Sequence, residues 1–184
     1  MLRFAAALLC LMIISPAGAT EAGWALLREG GQIVLIRHAI SPGSSDSRGF
    51  AIEDCATQRN LSERGKQQAK RIGALFATRA DRVERVLSSR FCRCLETASL
   101  AFEYDKVEPY EPLDLLPENP TAAKAANEAV LAEIRDYSGT GNLVMVTHLE
   151  NIHALTGQSP REGEALIVRP EGDTLKVIGR IVFN

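Results

Sequence analysis

Histidine is scarce in this chain of 184 residues, three in all, and cysteine is hardly commoner at four. A metal centre needs several such ligands at regular spacing, and so few residues so scattered do not supply them, so no metal site is expected. A basic tract is missing too. Lys and Arg number 21 against 23 Asp and Glu, a balance without the electrostatic footprint of a nucleic-acid binder. Internal repeats and low-complexity segments are absent, which argues against solenoids and disordered tails. No apolar run reaches the ~20 residues needed to span a bilayer, the run from Phe4 to Ile14 included. What remains, 46% hydrophobic and 24% charged residues, suits one soluble globular domain with a proper core.

The first nineteen residues differ in kind. A short basic start, Met1-Leu2-Arg3, precedes the apolar run, and Ser15-Pro16-Ala17-Gly18-Ala19 ends in a small-x-small pattern. Residues 1–19 therefore read as a secretory signal peptide cleaved after Ala19, and 20–184 as the functional domain, periplasmic or secreted. Cys10 lies too early, behind the large Leu9, to take a lipid anchor. The exported chain keeps Cys55, Cys92 and Cys94 where disulfides can form. A bond between Cys92 and Cys94 would be strained by their spacing, so Cys55 is expected to pair with Cys92 or Cys94.

Along the exported chain, helical and extended signals alternate. Thr20 to Arg28 reads as a short helix and is followed by Gly30-Gly31. Ile33-Val34-Leu35-Ile36 is a continuous apolar run, the mark of a strand buried on both faces, and it ends abruptly in Arg37-His38. A polar segment from Ile40 to Asn60 follows, too long to be idle in a compact domain. Ser62 then caps a helix with Ala69, Ile72, Leu75 and Phe76 on one side. Arg85 to Ser89 is a second strand, Phe91 to Phe102 a helix, and Val107 to Leu113 an irregular edge strand broken by Pro109 and Pro112. Thr121 to Tyr137 is a third long helix. Asn142 to Thr147 repeats the buried-strand pattern and ends at His148, before a short helix from Asn151 to Thr156. Glu164 to Arg169 and Thr174 to Phe183 bracket Glu171-Gly172-Asp173 as a β-hairpin. This order predicts an α/β fold, a three-layer α/β/α sandwich with a mainly parallel sheet and a C-terminal hairpin.

Ligands bind beyond the carboxyl ends of strands in such sheets. Arg37, His38, Arg93 and His148 all fall there, and two guanidiniums with two imidazoles in one small volume call for an anion. A phosphoryl group fits best, because guanidinium forks match its oxygens and a neutral imidazole can attack phosphorus. Arg59 and Asn60 are candidate substrate contacts from the long loop. His153, one turn into a helix, reads as solvated, and the basic face Arg64, Lys66, Lys70 and Arg71 as exposed surface.

Four segments in order, Leu35-Ile36-Arg37-His38-Ala39, Asn60-Leu61-Ser62-Glu63-Arg64-Gly65, Ser88-Ser89-Arg90-Phe91-Cys92-Arg93 and Val144-Met145-Val146-Thr147-His148, resemble the successive motifs of the histidine phosphatase (phosphoglycerate mutase-like) superfamily. The resemblance implies a phosphoglycerate mutase-like fold and a metal-independent phosphomonoesterase without a cofactor. It further implies that His38 is transiently phosphorylated, that Arg37 and Arg93 grip the phosphate, and that His148 completes the phosphate pocket. Its substrate would be a small phosphorylated molecule, with a sugar phosphate as the suggested class. One departure matters. Larger relatives carry a carboxylate just after the third strand as general acid, and here Asp114 is one residue early and Glu118 late, while Glu150 lies two beyond His148. That gap keeps open a second reading, a non-catalytic binder of a phosphorylated envelope ligand.

Overall fold

Strand alternation puts Val34 and Ile36 of β1 (Ile33–Arg37) on one face and Ile33 and Leu35 on the other, and all four are buried. A computed structural model describes residues 16–80 and 82–183. The expected leader therefore lies largely outside the described residues, and its positions 16–19 open α1 (Pro16–Glu29). Six strands form one sheet in the order β3-β2-β4-β1-β5-β6, with β2 (Val83–Ser88), β3 (Val107–Pro109) and β4 (Asn142–Thr147). These pair in parallel with β1 or one another, whereas β5 (Ala165–Glu171) runs antiparallel to β1 and forms the expected hairpin with β6 (Thr174–Ile181).

Each face of the sheet buries its own core. Trp24 and Leu27 of α1, Ile72 and Phe76 of α2 (Glu63–Arg79), and Ala98 and Phe102 of α3 (Cys92–Phe102) cluster with Val34, Ile36, Val144 and Val146. On the opposite face Val130, Leu131 and Ile134 of α4 (Pro120–Asp136) and Ile152 and Leu155 of α5 (Leu149–Thr156) cluster with Ile33, Leu35, Leu143 and Met145. The three-layer sandwich is thus the fold adopted. Its third strand is shorter than its sequence promised. Pairing ends at Pro109, and Glu111–Leu113 turns into a 3-10 helix with Pro112 in its first turn, where a missing N–H costs nothing.

The loop after β1 is held from several sides. Ser62 caps α2 by accepting from the Gly65 amide at 3.0 Å, while the Ser62 amide donates to the Ile40 carbonyl at 3.0 Å. That approach is so close that a Cβ on Gly65 would stand 2.1 Å from the Ile40 oxygen. Farther along, a disulfide joins Cys55 to Cys92, with 5.7 Å between Cα atoms, and leaves Cys94 buried and free. Among the described residues no helix is long and apolar enough to cross a membrane.

Candidate active site

The register of the three central strands gathers the site. Arg37 is level with Thr147, and Ser88 with Val146. Beyond these ends the His38 amide donates to the Thr147 carbonyl and the Ser89 amide to the Val146 carbonyl, each at 3.0 Å. His38, Ser89 and His148 therefore leave the sheet side by side, and the two imidazole centres lie 5.7 Å apart.

Each imidazole is held in one tautomer by its partners. His38 Nδ1 is 2.9 Å from the Ala39 carbonyl, which can only accept, so the proton sits on Nδ1 and Nε2 carries the lone pair. Burial pushes the His38 pKa down to about 3, and Arg93, Arg59 and Arg37 oppose its protonation further. For His148 the logic is reversed. Its Nδ1 faces Arg93 Nη2 at 3.3 Å, and a guanidinium can only donate, so the proton sits on Nε2 and goes to Ser89 Oγ at 2.9 Å. Ser89 Oγ accepts in addition from the Phe91 amide at 3.2 Å and donates to Asp114 Oδ1 at 3.0 Å. The result is a relay from His148 through Ser89 to Asp114. Burial, then Arg93 and His38, also hold His148 well below the ordinary histidine range.

Three guanidiniums surround these rings. Arg37 comes from the end of β1 and donates to the Pro160 carbonyl at 3.1 Å. Arg93, 1% exposed, projects from the first turn of α3. Arg59 reaches in from the loop, with Nη2 3.4 Å from His38 Nε2 and Nη1 donating to the Gly43 carbonyl at 2.6 Å. The buried Nε of each of the three has no acceptor. Leaving a buried charged donor unmatched costs on the order of 1–3 kcal/mol, so three of them around one pair of imidazoles form a cradle for an anion. Cys94 adds nothing nucleophilic: its Sγ lies 3.6 Å from His148 Nε2, but burial pushes the thiol up to about 12.

All four residues first expected at the site, Arg37, His38, Arg93 and His148, come together. The acid candidates fare differently. Asp114 is at the site but committed, accepting from Ser89 Oγ and from the Arg90 amide and Nε at 2.7 and 2.8 Å. Glu118 and Glu150 are exposed and form no hydrogen bond or ion pair with the cluster. Cys55 pairs with Cys92 and not with Cys94. His153 stays peripheral, 3.3 Å from Ser159 Oγ. Sequence reasoning missed Ser89 as the link to Asp114, and missed Asp46, whose carboxylate bonds Arg93. A hydroxyl directly after a buried strand was the one available signal for Ser89; Asp46 had only its place in an overlong loop.

Among the described residues no group of three or more His, Cys, Asp or Glu is arranged to hold a metal ion. No curated protein sequence matches the chain. A model of the histidine phosphatase superfamily (branch 1) matches residues 33–120. Among solved structures, the protein histidine phosphatase SixA complexed with tungstate shares 18% identity over 82% of this chain and 96% of its own, with a TM-score of 0.55. The alpha-ribazole phosphatase of Shigella flexneri shares 16% over 83% and 96%, with a TM-score of 0.58. A phosphoserine phosphatase variant from Entamoeba histolytica in complex with phosphoserine shares 12% over 83% and 98%, with a TM-score of 0.59. The chain is thus similar to the histidine phosphatase superfamily over residues 33–120 and shares the architecture of these solved phosphatases over most of its length.

Proposed function

We propose that the chain is an exported phosphomonoesterase that works through a phosphohistidine on His38. The observation that carries this reading is the pairing of a lone pair fixed on His38 Nε2 with three arginines, Arg37, Arg59 and Arg93, whose buried Nε donors lack acceptors. A phosphoryl group in that cradle would have its oxygens matched by Arg37, Arg59 and Arg93. His38 Nε2 attacks phosphorus, the ester P–O bond breaks, and water then displaces the phosphoryl group from the imidazole. His148, oriented through Ser89 and Asp114, accepts from Arg93 Nη2 and so holds that guanidinium in place to stabilise the charge that builds on the phosphoryl group. Three fixed cations supply the charge neutralisation that a metal provides elsewhere, so the activity is expected to survive chelators. The substrate is a small phosphorylated molecule, a sugar phosphate being the class favoured.

The test is turnover of p-nitrophenyl phosphate by the exported form and by His38→Ala, with protein quenched in denaturant at alkaline pH and assayed for an alkali-stable, acid-labile phosphoryl group. We expect turnover and a trapped phosphohistidine in the first and neither in the second; activity retained by His38→Ala would refute the mechanism. The commitment of Asp114 to Ser89 and Arg90 favours the second reading, a non-catalytic binder of a phosphorylated envelope ligand. Phosphate binding without turnover of any ester would establish it.

A further inference from the structure

Asp46 is the one carboxylate among the described residues hydrogen-bonded to Arg93. Its side chain is 6% exposed, and its two oxygens accept from Arg93 Nη1 at 2.9 and 3.1 Å. Oδ1 also accepts from the Arg59 amide at 2.8 Å. Arg93 and Arg59 are the residues whose Nη2 atoms face His148 and His38 respectively. Asp46 thus takes up one donor of the anion cradle, Arg93 Nη1.

We propose that Asp46 is the proton donor of the reaction, parked on Arg93 in the free protein and displaced by the phosphoryl group. The proposal rests on the phosphohistidine reading above. A phosphoryl group held by the three guanidiniums competes with the Asp46 carboxylate for Arg93 Nη1. The competing carboxylates are worse placed. Asp114 is bound by Ser89 and Arg90, and Glu162 accepts from the Ser41 amide at 3.2 Å with Arg37 Nη2 4.0 Å away.

The balance is simple. As the substrate binds, Asp46 takes a proton from solvent. The His38 Nε2 lone pair forms the N–P bond, the ester P–O bond breaks with its electron pair on oxygen, and the Asp46 proton moves to that oxygen, releasing an alcohol. In the second half Asp46 takes a proton from water as the water oxygen attacks phosphorus. The N–P pair returns to His38, inorganic phosphate leaves, and Asp46 releases its proton to solvent as it returns to Arg93.

Leaving-group dependence tests this in the full exported protein. For Asp46→Asn we expect kcat/KM on glycerol phosphate, whose alkoxide needs a proton, to fall by about 10²–10⁴-fold. On p-nitrophenyl phosphate, whose phenolate leaves unaided, the fall should stay below about tenfold. Inorganic phosphate should bind the variant at least as tightly as the unsubstituted protein, because the internal competitor is gone. Asp46→Glu, which keeps an acid, should retain more glycerol phosphate turnover than Asp46→Asn. Equal losses on both esters, or none on either, would overturn the proposal. Absence of turnover in the unsubstituted protein, with phosphate still bound, would instead bring down the phosphatase reading beneath it.

Discussion

Reducing the Cys55–Cys92 bond should weaken the fold and the site together. The bridge closes a segment of 37 residues, and cross-linking a loop of that length removes unfolded-chain entropy worth about 4 kcal/mol at 25 °C. Between its ends lies Arg59, and beside Cys92 lies Arg93. The Cys92 amide donates to Gln58 Oε1 at 3.0 Å, so the bond pins two arginines of the cradle to each other's neighbourhoods. A Cys55→Ser, Cys92→Ser double variant avoids reductant artefacts. Urea melts of the two forms should differ by about 4 kcal/mol, a large share of the roughly 5–15 kcal/mol that stabilises an ordinary domain. Under conditions where both forms remain folded, phosphate affinity should fall while the His38 adduct still forms, because the nucleophile is held by β1 and not by the loop. Coincident melts with unchanged phosphate affinity would refute the pre-organising role. Peptide mapping of the non-reduced protein supplies the prior check: it should find Cys55 joined to Cys92 and Cys94 as a thiol.

Ser89→Ala removes the middle of the relay, leaving the His148 Nε2 proton unmatched and Asp114 held by Arg90 alone; a loss of about 1–3 kcal/mol follows, read in melts and as a roughly tenfold or greater fall in kcat. Arg59→Ala deletes a charged hydrogen-bond donor and should weaken inorganic phosphate binding by about 10- to 100-fold by calorimetry. His38 is neutral when folded and titrates ordinarily when unfolded, so acid favours the unfolded chain. Its contribution is intact above about pH 6.5 and drains away at about 1.4 kcal/mol per pH unit toward pH 3. His148 shifts in the same direction, so melts between pH 7 and 4 should show a fall that His38→Gln reduces.

The sheet's centre was legible in the sequence because β1 and β4 are buried on both faces, which leaves unbroken apolar runs. Helix α2 was legible for a different reason: Ser62 announces its start and the apolar period does the rest. Cysteine pairing stayed ambiguous because Cys92 and Cys94 are close in sequence. On a helix, however, two residues apart is about 200° of rotation, so Cys92 faces the loop while Cys94 faces the core. Asp46 was hidden, and Arg59 stood only as a candidate contact from the loop, because nothing local sets their positions. They arrive through the disulfide, the Gly43 carbonyl and the tight passage at Gly65, all contacts made across the loop.

Strand β4 inserts between β1 and β2, although it is made about a hundred residues after the first and well after the second. A chain emerging from its N-terminus can form helices α1 to α4 early, but the central slot of its sheet stays vacant until the last third arrives. Such distant pairings form slowly, since a long loop must close before any contact repays it. His38 and His148 follow the two strands of the β1–β4 seam. The anion cradle therefore cannot assemble before that distant pairing is made, and the recovery of phosphate binding during refolding should not precede it.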